Sequence, residues 1–170
     1  MKLRNITYFT LISLLCACTG VEVENSAKKT EKPLTNWRLY EEKDVMTDKT
    51  TSHWSVKSDN MHDFEFPYNG GSRATIFIRK TGKKEELIFV ISKGQLLSGK
   101  KITIRVDENK AHTLYYNMPE DYSTEKVFIK YPAKVLEEIR SSKKVFVQIP
   151  VYNEGSPTWE FSTHNFELAE

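Results

Sequence analysis

Apolar and polar residues alternate along most of the chain after Trp37, and this period of two is the feature that most restricts its fold. The apolar positions are Trp54 and Val56 in one segment, and Ile102 and Ile104 in another. Side chains of a β-strand point alternately to the two faces of a sheet, so the pattern predicts strands with one buried face. It predicts further strands at 64–68, 73–79, 113–116, 127–129, 145–151 and 159–161, with 165–168 as a final edge strand.

The turn signals indicate how these strands connect. Asn69-Gly70-Gly71, Thr81-Gly82 and Ser98-Gly99 separate predicted strands, and Gly and Asn tolerate the positive φ of tight turns. The segment 87–91 is continuously apolar, which predicts a central strand covered on both faces. Short strands with closely spaced turns are typical of antiparallel architectures. We therefore expect a mainly β fold, either an antiparallel β-sandwich or a strongly curved sheet.

One short α-helix is predicted near residues 132–141. Pro132 suits a helix start, where its missing N–H costs nothing. Val135, Leu136 and Ile139 follow at helical spacing and form one apolar face. A helix this short is marginal by itself, so we expect it to pack over the sheet or to cover one end of it.

Residues 1–17 have the parts of a secretory signal peptide. Lys2 and Arg4 supply a positive charge, and the apolar segment 6–15 that follows is shorter than the roughly 20 residues that span a bilayer. The sequence Leu15-Cys16-Ala17-Cys18 then resembles the lipobox of bacterial lipoproteins. That resemblance implies cleavage after residue 17 and a lipid on Cys18, which would attach the protein to a membrane. The alternative is an ordinary secretory signal that happens to contain a cysteine.

Lipidation would explain how the chain uses cysteine. Both cysteines lie at the predicted cleavage region and none occurs from 19 to 170, so the mature domain cannot form an internal disulfide. The polar residues 18–36 predict a flexible tether, and 37–170 then form a single β-rich domain. Thr19, rather than Asp, follows the lipobox cysteine. In lipoproteins this favours the outer membrane, on its periplasmic face or at the cell surface.

The charge balance gives no support for a nucleic-acid partner. The chain has 25 Lys plus Arg against 23 Asp plus Glu. Removal of Lys2 and Arg4 with the signal peptide lowers the basic count from 25 to 23, so the mature chain has a formal net charge of zero. Nucleic-acid-binding domains concentrate positive charge on one face. We therefore expect no nucleic-acid binding.

The sequence contains no recognisable catalytic, metal or cofactor motif. There is no G-x-S-x-G elbow and no phosphate-binding Gly loop, and the Asp44–Asp48 segment lacks the Gly of a calcium loop, so we expect an Asx-type turn there. No two histidines have zinc-ligand spacing. We expect no enzyme activity, no metal and no cofactor. The four histidines are His53, His62, His112 and His164.

Five residues are candidates for a binding surface. Arg105 and Asp107 are two positions apart, which predicts that they share one strand face. There they form either a cross-strand ion-pair ladder, the simpler interpretation, or a polar binding site. Tyr115 and Tyr116 are adjacent and should face opposite sides of a sheet, so one of them should be exposed. Tyr122 follows the loop 117–121. Exposed tyrosines occur at protein and glycan interfaces, but they are also ordinary strand residues with a solvated hydroxyl.

The arrangement of short motifs over residues 37–168 resembles a group of small exported bacterial β-proteins. It is similar to the invasion-associated protein B family and to periplasmic accessory proteins of type VI secretion. The resemblance implies a non-enzymatic accessory or binding role, although those relatives often carry a disulfide that this chain cannot form. The motifs are Trp37, the segment 44–48, a strand ending at Arg79, the segment 104–107, a short helix, and the segments 159–161 and 166–168.

Together these observations predict a membrane-anchored lipoprotein that binds a protein or a glycan of the cell envelope without catalysing a reaction. Two alternatives remain open: a secretion-accessory or immunity-like structural lipoprotein, and a hydrolase with an unrecognised site. The identity of the partner and the oligomeric state are left open.

Overall fold

The alternating segments form antiparallel strands, as predicted. The computed structural model describes residues 35–169, so the predicted signal peptide, Cys18 and most of the predicted tether lie outside the described residues. The strands are β1 (Arg38–Lys43), β2 (Thr50–Lys57), β3 (His62–Phe64), β4 (Gly70–Ser72), β5 (Ala74–Thr81), β6 (Lys84–Ile91), β7 (Lys101–Val106), β8 (His112–Asn117), β9 (Lys126–Ile129), β10 (Lys144–Gln148) and β11 (Thr158–Ser162).

Nine of the described strands form one antiparallel sheet in the order β1-β2-β5-β6-β9-β8-β7-β10-β11, and β3 and β4 form a separate hairpin. The sheet is not closed but bends back on itself. Phe89 on β6 packs edge-on against Trp159 on β11, with ring centroids 5.4 Å apart, so distant strands of the same sheet face each other across the core. The fold is therefore mainly β, with a strongly curved sheet.

The inner face of this curved sheet carries the core. Trp54, Val56, Ile102 and Ile104 are buried, which confirms the predicted alternation. In the predicted central strand, Leu87 to Phe89 are buried on both faces. The side-chain entropy lost on ordering these residues is offset by apolar burial, at about 25 cal/mol per Å².

The predicted helix is present as α1 (Ala133–Arg140), which begins after Pro132. Its buried residues are Val135, Leu136 and Ile139, as predicted. None of the helices within residues 35–169 is long and apolar enough to cross a membrane.

Three local predictions were wrong. The turn predicted at Asn69-Gly70-Gly71 lies earlier, at residues 66–68, and Gly70 begins β4. Phe66 therefore lies in that turn and is exposed rather than sharing a strand face with Phe64. The predicted edge strand at 165–168 is a 3₁₀ helix, Phe166–Ala169, because the buried Phe166 ring fits between Trp37 and Trp54.

Candidate binding face

A row of apolar side chains crosses the outer face of the sheet, the face directed away from the core. Phe77 on β5 lies opposite Ile88 on β6, and Ile88 lies opposite Phe128 on β9. Phe77 and Phe128 are half-buried although they belong to the outward-pointing set of their strands. This row makes the outer face of β5, β6 and β9 more apolar than a solvated sheet face usually is.

One end of this row opens into a depression of about 510 Å³, which we call the loop depression. Strands β5, β6 and β9 provide its floor, and the connection after β8 provides its wall. The lining residues are Arg79, Glu86, Asn117, Met118, Pro119, Glu120, Asp121, Lys126 and Phe128.

Ion pairs surround the aromatic floor of the loop depression. Arg79 Nε donates to Glu86 Oε2 at 2.6 Å, and the Arg79 guanidinium lies 5.6 Å from the centre of the Phe128 ring. Lys84 Nζ lies 2.9 Å from Glu86 Oε1. Partial burial opposes ionisation of Glu86, but hydrogen bonds and positive charge from Lys84 and Arg79 hold its pKa below the usual value. The floor therefore presents a paired Arg–Glu network beside an aromatic ring.

The wall of the depression is held in a defined turn. Lys126 Nζ lies 2.7 Å from Asp121 Oδ2, and Ser123 N donates to Asp121 Oδ1 at 3.0 Å. These two contacts lower the pKa of Asp121 to about 2, so the carboxylate is ionised at neutral pH. Tyr122 directly follows the lining residue Asp121, has a φ of 58° and is 91 % exposed, so a solvent-exposed aromatic residue stands next in the chain to the wall of the depression.

The two adjacent tyrosines face opposite sides of β8, as predicted. Tyr115 is exposed on the outer face, where Lys101 Nζ lies 4.7 Å from its ring centre. Tyr116 is only 6 % exposed, and its hydroxyl donates to the carbonyl of Leu97. Burial raises the pKa of Tyr116 to about 12. Tyr116 is therefore a core residue and does not contribute to an outer binding surface.

Arg105 and Asp107 do not share a strand face. The strand β7 ends at Val106, and Asp107 adopts a φ of 48° just beyond it. Asp107 Oδ1 accepts hydrogen bonds from the backbone N–H groups of Lys143, at 3.0 Å, and Lys144, at 2.7 Å. Arg105 instead lies over the Phe146 ring of β10, 4.7 Å from its centre. The left-handed turn at Asp107 separates the two groups that the sequence suggested would act together.

Each histidine within residues 35–169 has a separate environment. His62 Nε2 lies 2.8 Å from the carbonyl of Thr158, and His112 Nε2 lies 3.1 Å from the carboxylate of Glu138 on α1. His53 lies beside Tyr40, with ring centres 6.1 Å apart, and His164 accepts a hydrogen bond at its carbonyl. Among these residues no group of three or more His, Cys, Asp or Glu side chains is placed to hold a metal ion. The predicted Asx turn is present, with Asp44 Oδ1 accepting from Met46 N at 2.7 Å.

The candidate site thus contains Tyr122 and the loop 117–121, which the sequence suggested, together with residues that sequence reasoning missed. Phe77 and Phe128 are the aromatic residues that the sequence reasoning did not assign to a binding surface. Each stands between two core residues of its strand, at the position where alternation predicts a polar side chain. An aromatic residue at such a position is the sequence signal that could have indicated this face.

Comparisons with known proteins give one distant structural neighbour. No family model matches the sequence, and no curated protein matches it. The crystal structure of invasion associated protein B from Bartonella henselae is similar over 79 % of this chain and 89 % of that chain, with 13 % sequence identity and a TM-score of 0.49. The chain therefore has a weak structural resemblance to that protein, and a likeness at this level says nothing about function.

Proposed function

We propose that this protein is a non-enzymatic binding module of the bacterial cell envelope, held at a membrane by a lipid on Cys18. It recognises a protein or a glycan through the loop depression and the exposed Tyr122 beside it. The supporting observation is the combination of a half-buried aromatic floor at Phe128, a wall fixed by the Lys126–Asp121 ion pair, and an exposed tyrosine next to Asp121 in the chain.

The electrostatic arrangement supports recognition of a large ligand. The Arg79–Glu86 and Lys126–Asp121 pairs satisfy their own charges, so the depression offers oriented hydrogen-bonding groups without a large net field. Interfaces of this kind combine an aromatic anchor with a polar rim. Because these four charged side chains already have partners, they need little further ordering on binding, which lowers the entropic cost of association.

The proposed anchor rests on the sequence Leu15-Cys16-Ala17-Cys18 and on the polar segment that follows. A flexible segment of about 16 residues has a root-mean-square reach of roughly 20 to 24 Å, enough to hold a domain clear of lipid headgroups. The outer membrane is the proposed location. In this setting the domain samples partners close to the membrane surface.

The proposed binding site can be tested by photo-crosslinking in living cells. A photoreactive phenylalanine analogue replaces Tyr122 in one variant and Tyr131 in a matched control. Tyr131 is 92 % exposed and has a φ of 52°, so it resembles Tyr122 in exposure and backbone. Tyr122 directly follows Asp121, which lines the loop depression, whereas neither neighbour of Tyr131 in the sequence lines it. We expect defined adducts with an envelope component from position 122 and only background from position 131. Equal labelling from both positions, or none from either, would refute the proposed site.

A further inference from the structure

The two ends of the curved sheet differ in how their edges are covered. At β11, Asp59 N donates to the Glu160 carbonyl at 2.7 Å, and Asn60 Nδ2 donates to the Thr158 carbonyl at 2.9 Å. The segment after β2 therefore occupies the β11 edge. At the other end, all six residues of β1 are exposed, and within residues 35–169 no strand pairs with its free side. Among the residues that the structure describes, β1 is thus the open edge of the sheet.

The hydrogen-bonding pattern shows which groups this edge presents. Asp44 N donates to the Lys49 carbonyl at 2.9 Å, so 44 and 49 form a hydrogen-bonded pair of the β1–β2 hairpin. Hydrogen-bonded and non-hydrogen-bonded pairs alternate in an antiparallel ladder. In the observed register the even-numbered residues of β1 therefore bond to β2. The backbone N–H and C=O groups of Leu39, Glu41 and Lys43 therefore point away from β2, towards the free edge of the sheet.

We propose that β1 pairs antiparallel with β1 of a second copy of this chain, with Tyr40 on the two-fold axis. In this register Leu39 faces Glu41 of the partner subunit. The free backbone N–H and C=O groups of the two residues then meet, and the pair forms two hydrogen bonds. Tyr40 faces Tyr40 of the partner subunit as a non-hydrogen-bonded pair, in which side chains are closest. The interface is isologous, as in a closed dimer.

The charges on the outer face of β1 favour a second copy of this chain as the partner, and they favour this register. Arg38 and Glu42 share the face of Tyr40, and within residues 35–169 neither has an ion-pair partner. The proposed pairing places Arg38 opposite Glu42 of the partner subunit, and symmetry forms this pair twice. Charged residues on an edge strand usually discourage pairing, but here they are self-complementary.

The neighbouring registers are less favourable. A displacement of one residue would place the free backbone groups of the odd-numbered residues opposite even-numbered residues, whose groups already bond to β2. A displacement of two residues in one direction brings Glu41 opposite Glu41 of the partner subunit, and like charges directly opposite each other destabilise a sheet. A displacement of two in the other direction requires pairing at Trp37, whose N–H already donates to Thr35 Oγ1 at 3.1 Å.

Cysteine crosslinking of the full chain in its membrane tests this proposal. Non-hydrogen-bonded partners have Cα atoms about 4.5 Å apart, which is within the range of a disulfide. Tyr40 is 64 % exposed, so Tyr40→Cys should not disturb the core. We expect a disulfide-linked homodimer from Tyr40→Cys. The parent chain, Leu39→Cys and Glu41→Cys should give only background. In the proposed register position 39 lies diagonally from position 39 of the second copy, and position 41 from position 41, at about 7–8 Å or more, which is too far for a disulfide.

A charge exchange adds a second, independent readout. In the Tyr40→Cys background, Arg38→Glu should reduce the dimer several-fold, and adding Glu42→Arg should restore it, because the exchanged pair is again complementary. Labelling of Tyr40→Cys by a maleimide shows that its thiol is accessible, and a melting temperature equal to that of the parent chain shows that the variant is folded. An accessible thiol that gives no homodimer, an adduct with a different protein, or failure of the exchange to restore the dimer would each overturn the proposal.

Discussion

Asp107 offers a clear test of whether a suggested binding residue is instead structural. Its carboxylate accepts two backbone hydrogen bonds from Lys143 and Lys144, and its φ is 48°. Hydrogen bonds to a charged group contribute about 1.5–3 kcal/mol each when buried, and the low end applies here because the site is partly solvated. A residue with a Cβ in the left-handed region costs roughly 1–2 kcal/mol, a penalty that Asp partly avoids and Gly escapes.

These terms predict an order among variants of Asp107. Asp107→Ala loses both hydrogen bonds and takes the full backbone penalty that Asp partly avoids, so we expect a loss of about 3–4 kcal/mol, or roughly 9–16 °C in melting temperature. Asp107→Gly should lose about 1 kcal/mol less than the Ala variant. Asp107→Asn should be mildest, because one carbonyl oxygen remains.

Thermal and urea unfolding of the purified variants, followed by circular dichroism, measures this order. Partner capture should be unchanged for each variant at temperatures where it is folded. If Asp107→Ala unfolds like the parent but loses partner capture, the structural role argued for this residue is wrong.

Three other changes have defined outcomes. Tyr116→Phe should lower stability by about 1–2 kcal/mol at pH 8, because a buried carbonyl loses its donor. The pKa of Tyr116 is raised to about 12, so the stability contributed by its buried neutral hydroxyl is fully present below pH 10 and is lost as the pH rises towards 12. Between pH 10 and 12 the urea midpoint of the parent should therefore fall more steeply than that of the variant. Gly94→Ala should destabilise the fold strongly, because a Cβ at this position would lie 2.7 Å from the Phe64 ring. The control Gly82→Ala has a φ of 58° but open space around its Cβ, so it should cost only about 1 kcal/mol. Chemical denaturation compares the stabilities of the two variants. Cys18→Ala should leave the precursor uncleaved and without lipid, and continued labelling by a palmitate analogue would contradict the anchor.

Alternation was a reliable guide wherever one strand face is buried. Trp54, Val56, Ile102 and Ile104 lie in the core because a strand that buries one face must place its apolar residues at every second position. The helix α1 was predictable for the same reason, because its one buried face places Val135, Leu136 and Ile139 at the spacing of a helical turn. The strand β1 gave no such signal, because all of its residues are exposed and its position depends on pairing with β2.

The candidate site could be predicted only in part. The loop 117–121 and Tyr122 were visible in the sequence as an aromatic loop after a strand. The Arg79–Glu86 floor was not, because cross-strand neighbours are set by register, which depends on the whole sheet. Asp107 was misplaced because a single left-handed residue ends the strand, and Asp is one of several residue types that tolerate that conformation.

The most direct test of the proposed function is the yield of the Tyr122 photo-adduct when the charge of the loop depression is changed. Glu120 is exposed and lines the depression, and Glu137 is exposed on α1 outside it, so Glu120→Lys and Glu137→Lys form a matched pair. Both variants should melt at the parent temperature. We predict that Glu120→Lys sharply reduces the adduct while Glu137→Lys leaves it unchanged. Equal yields from the two variants would contradict the assignment of the loop depression as the binding site.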